Sequence, residues 1–309
     1  MLDLAIVIVN YNTRDLLRNC LKSVFDSRGD VSFTVVVVDN ASTDGSPEMV
    51  RAEFPQVELI ESTVNGGFAY ANNLGLKQVG FASDGTPQAD APRYALLLNP
   101  DTELPPTALA NMVAFMDAHP DAGAAGPKLV LTNGALDLAC RRSFPTPAVS
   151  FYRMAGLSKL FPRHPVFGRY NMTFVDPDRQ IEVDSVVGAF MMVRREAIAQ
   201  AGLLDETYFM YGEDLDWAYQ IKAHGWKIYY NPAVTVTHVK RAASRHSLKA
   251  RIEFYRAMDI FYRKYYAART PIWLHALVVT GINIPWRYYQ LRALLKRNPQ
   301  NHNGKEVDG

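Results

Sequence analysis

The chain has few of the features that mark several common protein classes. Its 309 residues include only two cysteines, Cys20 and Cys140, far apart and in no spacing typical of a metal or redox site. We expect both to be small buried apolar residues in a reducing compartment, which favours a cytoplasmic setting. No low-complexity tract is present, and 48% hydrophobic and 21% charged residues are ordinary for a folded chain.

Several catalytic and nucleotide-binding motifs are also missing. The first predicted strand is followed by "NYNTRDLL" instead of a glycine-rich fingerprint, which argues against a dinucleotide-binding Rossmann enzyme. The sequence has no P-loop and no G-x-S-x-G elbow. Function must therefore be sought in other polar groups.

Long apolar runs are scarce. The N-terminal "MLDLAIVIVNYN" has an acid, no basic region and an apolar run about one strand long, so it predicts a strand and not a signal peptide. Near the other end, "IWLHALVVTGINIPW" is shorter than the roughly 20 residues a transmembrane helix needs. Two interpretations stay open: an element lying on a membrane surface with its Trp and Tyr residues at headgroup depth, or a core helix pair docked on the main domain.

Charge is unevenly distributed. The chain has a formal net charge of +2, yet residues 240–297 contain thirteen Lys and Arg against Glu253 and Asp259. This asymmetry predicts a basic segment that meets an anionic membrane surface, with a solvated helical face as the alternative. Nucleic acid is not the expected partner, because the aromatic residues of this segment lie among apolar ones and not on a polar stacking platform.

The apolar pattern indicates an α/β fold. Short runs rich in Val, Ile and Leu at 4–9, 34–39, 57–62 and 94–99 are typical of strands buried on both faces of a parallel sheet. Helical spacing separates them, at 16–24, at 46–48 with Ser46 as the expected N-cap, at 72–77 and at 107–118. Beyond about residue 120, "SVVGAFMMV" predicts a strand and "WKIYYNPAVTVTH" a strand pair. The alternation predicts a doubly wound sheet with its site at the carboxyl ends of the strands.

Four polar turns follow the four predicted strands. They are Asn10-Tyr11-Asn12, residues 39–45, Asn65-Gly66-Gly67 and Asn99-Pro100-Asp101. Asp39 could accept hydrogen bonds from a base or ribose, and Asp101 could ligate a hard cation that bridges two phosphates. The set suits a nucleotide diphosphate with a metal, although plain turns would use the same residues.

The segment "MYGEDLDW" places three carboxylates next to a tryptophan. A helix that begins at Glu213 after Gly212 would stabilise acids in its first turn, which is the simplest explanation. Asp214 and Asp216 point to different faces, so one would meet a substrate while the other holds the loop. An aspartate at a water-shielded cleft can act as a general base, provided that no buried ion pair keeps an acceptor away from it.

His238 ends the last predicted strand. A lone histidine there is usually structural, but one that returns to Asp101 would complete a metal site. Imidazole is acceptable to Mn²⁺ and less natural for Mg²⁺.

Taken in order, "VIVNYN", "VVVVDNASTDGS", "NGGFAYANNLG", "LLLNPDTEL", "VVGAFMMVRREA", "LLDETYFMYGEDLDW" and "TH" resemble the family 2 glycosyltransferases, inverting enzymes of the GT-A fold. Within that family the chain is most similar to the rhamnosyltransferase-like branch, which builds bacterial surface polysaccharides. The resemblance spans about residues 3–240.

The resemblance implies roles for individual residues. Nucleotide binding falls to Asn10, Tyr11, Asn12, Asp39, Asn65, Gly66, Gly67 and Asn99. Asp101 and His238 would ligate a divalent cation, Mn²⁺ or Mg²⁺. Asp214 of the Glu213–Asp214 pair would be the catalytic base, and the donor or acceptor sugar would meet Gly188, Ala189, Asp216 and Trp217.

The sequence departs from the family pattern at several positions. Asn99 stands where relatives have the first acid of a D-x-D motif, "AYQIKAHGW" replaces an arginine-rich helix, and Lys240, Arg241 and Ser244 stand where a Gly and a Ser are common after the histidine. The Q-x-x-R-W signature of processive synthases is absent, and no spanning helix is predicted, which favours addition of a single sugar.

These arguments predict an inverting, metal-dependent transferase that moves one sugar, L-rhamnose from dTDP-rhamnose as the best choice, to a glycan or lipid-linked acceptor. Residues 1–240 would form the GT-A domain, with a nucleotide-binding half to about 120 and an acceptor half after it. Residues 241–309 would form a basic, aromatic helical segment with a flexible tail. The protein would be peripheral on the inner face of the cell membrane. A catalytically inactive binding protein on the same fold is the alternative.

Overall fold

The computed structural model describes residues 2–240 and 247–297, with the side chains of 296 and 297 excepted. The residues expected to form a flexible tail, 298–309, lie outside the described residues, as do Arg241 and Ser244. The described chain divides into two compact units. One comprises residues 2–209 with 213–240, and the other comprises 210–212 with 247–297.

The larger unit is built on one mixed sheet. Its strands are β1 (Leu4–Asn10), β2 (Phe33–Asp39), β3 (Glu58–Glu61), β4 (Tyr94–Leu98), β5 (Thr102–Glu103), β6 (Ala122–Val130), β7 (Ile181–Val183), β8 (Phe190–Arg194) and β9 (Lys227–His238). They are ordered β3-β2-β1-β4-β8-β6-β9-β5, with β7 paired to β9. The first four in this order are parallel, and β8 is antiparallel to both of its neighbours.

Helices connect these strands. They are α1 (Arg14–Phe25), α2 (Ser46–Glu53), α3 (Phe68–Gln78), α4 (Ala108–Ala118), α5 (Pro147–Met154), α6 (Leu157–Leu160), α7 (Arg195–Ala201) and α8 (Glu213–Ala223). All seven residues of β1 are buried, because the sheet is covered on both faces. The predicted α/β fold is confirmed, as is the burial of both cysteines.

Three local predictions need correction. Ser46 lies inside α2, and the N-cap is Gly45, whose positive φ of 79° suits glycine. "WKIYYNPAVTVTH" contributes one long strand, β9, because a register shift between Pro127 and Lys128 of β6 absorbs the irregularity that sequence reasoning took for a turn. In "SVVGAFMMV", only the part from Phe190 onward is strand.

The smaller unit contains two further helices, α9 (Leu248–Tyr265) and α10 (Ile272–Arg297). They are joined by the Tyr262 hydroxyl, 2.9 Å from His275 Nδ1, and by Arg251, which donates to the Tyr289 hydroxyl at 2.7 Å. The short stretch Met210–Gly212 belongs to this unit, and the ring of Tyr211 meets Phe254 edge-on. Among the described residues, no helix combines the length and the apolar character that a membrane span requires.

Candidate active site

The turns after β1 and β2 are tied together. Asn10 Nδ2 donates to Asp39 Oδ1 at 2.9 Å and to Ser42 Oγ at 3.1 Å. Asn12, held at a positive φ of 52°, accepts a hydrogen bond from the backbone N–H of Thr43 at 2.8 Å. Side-chain and backbone hydrogen bonds therefore join the turn after β1 to the turn after β2.

Asp39 is buried and both its oxygens are engaged. Oδ1 accepts from Asn10, and Oδ2 accepts from the backbone N–H of Ser42 at 2.8 Å. The residue thus caps its turn and also borders an open cleft of about 420 Å³, a volume in the range of small-ligand sites. That cleft is lined by Asp39, Ala41, Ser42, Thr43, Gly45, Pro47, Glu48, Glu61 and Ser62. Tyr11, in the turn that follows β1, is 49% exposed.

The turn after β3 is held by Asn40, which belongs to the predicted polar turn after β2. Its side chain donates to Asn65 Oδ1 at 3.0 Å and accepts from the N–H of Gly66 at 3.1 Å. Gly67 has a φ of 95°, and a Cβ on it would overlap the carbonyl oxygen of Phe209. Glycine is therefore required there, both by the backbone conformation and by the close approach of the chain that leads to α8.

Gly188 and Ala189 connect the carboxylates to the strand ends. The N–H of Gly188 donates to Asp214 Oδ2 at 3.0 Å, and the N–H of Asn99 donates to the carbonyl of Ala189 at 3.0 Å. A Cβ on Gly188 would lie 3.2 Å from the ring of Phe68. Backbone contacts therefore link Asp214 to the turn that carries Asp101.

Asp101 and His238 lie side by side, as predicted for a shared site. Residues Thr102 and His238 are register partners of β5 and β9, which brings Asp101 Oδ1 to 3.2 Å from His238 Nε2. The other ring nitrogen, Nδ1, is 2.8 Å from Asp137 Oδ2. Sequence reasoning missed Asp137, which also accepts a hydrogen bond from Lys240.

Hydrogen bonds among Asp101, His238 and Asp137 stabilise the charged forms of His238 and Asp137. Burial alone would lower the pKa of His238, but its hydrogen bonds to Asp101 and Asp137 raise it above the ordinary value. Burial alone would raise the pKa of Asp137, but hydrogen bonds from His238 and Lys240 hold it well below its usual range. Asp137 is thus a fixed negative charge behind the imidazole.

The Asp101–His238 pair fits a hard divalent cation that takes further ligands from elsewhere. Two neighbouring ligands of an octahedral ion lie about 3 Å apart when each is about 2.1 Å from the metal, close to the separation seen here. Among the described residues, no group of three or more His, Cys, Asp or Glu side chains could hold a metal. The donor set therefore suits an ion that is completed by phosphate oxygens and water.

The helix α8 begins at Glu213, as predicted, and Asp214 follows in its first turn. Asp214 Oδ2 is 2.8 Å from Arg142 Nη2, and both side chains are only 8% exposed. Arg142 also donates to the carbonyl of Val186 at 2.6 Å. Although burial opposes the charged form, the charge of Asp214 raises the pKa of Arg142. The expectation of a base outside any buried ion pair is corrected: Asp214 has a buried cationic partner.

Glu213 is the second carboxyl group of the pair. It is buried, and its Oε2 atom has no hydrogen-bond partner among the described residues. Burial, followed by repulsion from Asp214, raises the pKa of Glu213 to about 8. Near neutral pH it is therefore mainly a neutral acid.

Asp216 and Trp217, expected to meet a sugar, point into the protein. Asp216 is buried and accepts a hydrogen bond from the Tyr208 hydroxyl at 3.2 Å. Trp217 is 1% exposed, and its indole N–H donates to the carbonyl of Gly202 at 2.8 Å. We assign Asp216 to holding the loop before α8 and Trp217 to packing.

The sequence is similar to known glycosyltransferases. The model described as "Glycosyl transferase family 2" matches residues 5–201. The chain is 31% identical over 240 residues to an N-acetylglucosaminyl-diphospho-decaprenol L-rhamnosyltransferase of Mycobacterium tuberculosis, covering 77% of this chain and 76% of that one. It is 24% identical to the rhamnosyltransferase WbbL of Escherichia coli, covering 75% and 82%.

Solved structures agree at the level of the fold. GalNAc-T7 bound to UDP, GalNAc and Mn²⁺ superposes with a TM-score of 0.58 at 15% identity, covering 100% of this chain and 60% of that one. S. aureus TarS superposes with a TM-score of 0.55 at 15% identity, covering 91% and 42%. The chain thus spans less than two thirds of each of these two structures.

Proposed function

The chain belongs to glycosyl transferase family 2, and on this premise we propose that it is an inverting, metal-dependent enzyme that adds one sugar at a time. The donor we propose is dTDP-L-rhamnose, and the acceptor is a hydroxyl of a glycan or lipid-linked glycan in surface polysaccharide synthesis. The choice of sugar and acceptor is supported by the two relatives named as rhamnosyltransferases, one of them acting on a decaprenol-linked substrate.

One observation carries the proposal: the groups needed at the two ends of the reaction are joined by short backbone contacts. Asp214 accepts from the N–H of Gly188, the carbonyl of Ala189 accepts from the N–H of Asn99, and Asp101 comes two residues later. A base and a leaving-group site on one rigid framework are what inversion at a single carbon requires, because attack and departure occur on opposite sides of that carbon.

The proton acceptor in this proposal is Asp214. A carboxylate has about four acceptor positions. In the described structure three donors contact Asp214: Arg142, the N–H of Gly188 and the N–H of Leu215. The proposal assigns the remaining position to the acceptor hydroxyl. As the hydroxyl oxygen bonds to the anomeric carbon, its proton passes to Asp214, and the bond to the nucleotide diphosphate breaks.

Arg142 is a positioning residue in this scheme. Its Nη2 atom is within hydrogen-bond distance of Asp214, of the carbonyl of Val186 and of Ser185 Oγ, and these contacts fix the direction in which the carboxylate points. The backbone N–H of Gly188 fixes the same oxygen from the other strand end. A base oriented in advance reacts faster, because less motion has to be frozen when the acceptor binds.

Asp101 and His238 would hold a divalent cation, Mn²⁺ by preference since imidazole is one of the two ligands. When bound, the ion would offset negative charge that develops on the departing diphosphate. The protein's own contribution is to present the carboxylate and imidazole together on the β5–β9 pair.

The nucleotide would lie along the turns after β1 to β4. The cleft bordered by Asp39, Ser42 and Glu61 would bind the base and the ribose. The exposed ring of Tyr11, in the turn after β1, would cover the base. Asn65, Gly66 and Gly67 would lie beside the donor, where the absence of side chains on the glycines lets the backbone approach closely.

We also propose that the smaller unit touches an anionic membrane on the inner face of the cell. Its helix α10 exposes Trp273, Leu277, Ile284 and Leu291, which are 57–65% exposed. Basic residues Arg287 and Arg292 accompany them. Helices that lie in the headgroup region have this composition.

The buried Arg142–Asp214 pair also favours a second candidate, a catalytically inactive protein that binds nucleotide sugars. Release of dTDP from dTDP-L-rhamnose, measured with and without Mn²⁺, separates the two. An enzyme gives metal-dependent release, and a binding protein gives none while still being stabilised by the donor. At about 100 times its dissociation constant, a bound donor adds roughly 2.7 kcal/mol of stability in a thermal-shift panel of nucleotide sugars.

A further inference from the structure

The sequence between Asp137 and Asp176 contains no acidic residue. This segment carries α5, α6 and the turns that follow, and none of it is used by the proposed chemistry apart from Arg142. It exposes large apolar side chains: Phe151, Met154, Leu160, Phe161 and Val166. Phe151 is 61% and Leu160 69% exposed, whereas soluble proteins normally keep such side chains scattered or covered.

Two of these side chains, Phe151 and Phe161, contact an aromatic cluster around Phe167. The ring of Phe167 lies 5.2 Å from that of Tyr152 on α5, 5.7 Å from that of Phe161 and 4.7 Å from that of His164. Distances in this range are typical of packed aromatic pairs. Phe151 and Phe161 are thus exposed while in contact with packed aromatic rings.

Cations stand among the apolar residues. Arg153, Lys159, Arg163 and Arg169 are all exposed. No ion pair joins any of them to an acid in the described part of the chain. Arg153 also lies over the ring of Tyr170, 4.2 Å from its centroid. Their charge is therefore available to an outside partner.

We propose that these nine exposed side chains form a basic-apolar surface that docks on an anionic lipid bilayer. Apolar side chains enter the headgroup region while neighbouring Lys and Arg meet lipid phosphates, the combination that holds peripheral proteins on membranes. Charge selects this partner over a second copy of the chain. A two-fold contact through this surface would bring its four cations against the same four of the partner copy.

The inference is independent of the sugar transferred. The basic-apolar surface lies on the larger unit and would be a second membrane contact beside that of α10. Each of the two contacts can be tested without the other. Binding of the full chain to vesicles tests both, with equimolar phosphatidylcholine and phosphatidylglycerol compared with phosphatidylcholine alone. One variant, Lys159→Gln with Arg163→Gln, removes charge, and another, Phe151→Ser with Leu160→Ser, removes apolar contact.

Two matched variants complete the design. Lys22→Gln with Arg28→Gln removes two exposed cations from elsewhere on the larger unit. Trp273→Ser with Leu277→Ser reports on α10. Circular dichroism and thermal melts verify that every variant folds.

Each basic side chain near an anionic leaflet contributes about a fivefold gain in partitioning, so loss of Lys159 and Arg163 lowers binding to anionic vesicles about 25-fold. The Phe151 and Leu160 variant lowers it by roughly tenfold or more. The Lys22 and Arg28 control stays close to wild type.

Unchanged partitioning of both surface variants overturns the inference, whether or not the α10 variant loses binding. So does a wild-type chain that is dimeric by light scattering and becomes monomeric in the surface variants, because the surface would then join two copies. Loss in the surface variants with no loss in the α10 variant supports this inference and refutes the α10 contact.

Discussion

Arg142 and Asp214, 72 residues apart in the chain, form an ion pair of 2.8 Å in the interior of the larger unit. The guanidinium comes from the segment bridged to Ser185, and the carboxylate from the first turn of α8. Such a pair fixes geometry more than it adds net stability, since both groups give up water to form it. It makes the orientation of Asp214 a property of the folded framework.

Removal of Arg142 should destabilise the fold strongly. Arg142→Ala leaves the buried carboxylate of Asp214 without its cation, which typically costs about 3–5 kcal/mol. Urea denaturation measures the loss in free energy of unfolding. The combined change Arg142→Met with Asp214→Leu should lose much less, because no buried charge is left unpaired, and an equal loss would contradict this reading of the pair.

Glu213 should make stability fall as pH rises from about 4.5 to about 8. Its pKa is raised to about 8 in the folded chain from an ordinary 4.5, so its contribution is fully present below the ordinary value and is lost as pH rises through about 8. The Glu213→Gln variant cannot ionise. In thermal melts its stability relative to the wild type should rise between about pH 4.5 and about pH 8 and stay level above that, and curves that run parallel from pH 4.5 to 8 would refute burial of a neutral acid.

Asp137 should support metal binding without touching the metal. It accepts the hydrogen bond of His238 Nδ1, and loss of such a partner typically lowers affinity by about 10- to 100-fold. Calorimetric titration of Asp137→Asn with Mn²⁺ tests this in the absence of any substrate. Asp178→Asn, at an exposed acid paired with Lys128, is the control. Equal affinity in all three proteins would remove Asp137 from the site.

Gly67 should tolerate alanine less well than Gly134 does. Both glycines have positive φ, 95° and 78°, so alanine strains the backbone at each, and at Gly67 a ψ of 178° adds a conformation essentially restricted to glycine. Only at Gly67 would the new Cβ also overlap a backbone atom, the carbonyl oxygen of Phe209, whereas at Gly134 it meets nothing within 4 Å. Denaturation of Gly67→Ala and Gly134→Ala should differ clearly, and equal losses would show that the Phe209 contact is unimportant.

Local patterns explain why much of the fold could be predicted. Each of the first strands is a continuous apolar run that ends in a polar turn, and parallel pairing necessarily gathers those turns. The start of α8 at Glu213 followed in the same way from Gly212 and the acids after it. The irregular pairing of β6 with β9 has no such local signal, which is why β9 was expected to be a strand pair.

Partners of the site residues could not be predicted in this way. Asp137 lies 101 residues from His238, and Arg142 lies 72 from Asp214, so no spacing rule connects them. The one available signal was the doublet Arg141-Arg142, which is followed by no acid before Asp176 and whose two side chains both prove to be buried. A buried arginine needs a partner, but only the fold identifies it.

The role of Asp214 as proton acceptor is tested most directly by the Asp214→Asn variant. We expect release of dTDP from dTDP-L-rhamnose with Mn²⁺ to fall by about 10²- to 10⁴-fold, since a positioned base contributes that much to rate. The donor's dissociation constant, measured on the same folded protein, should stay close to that of the wild type. Normal turnover in Asp214→Asn would contradict the mechanism.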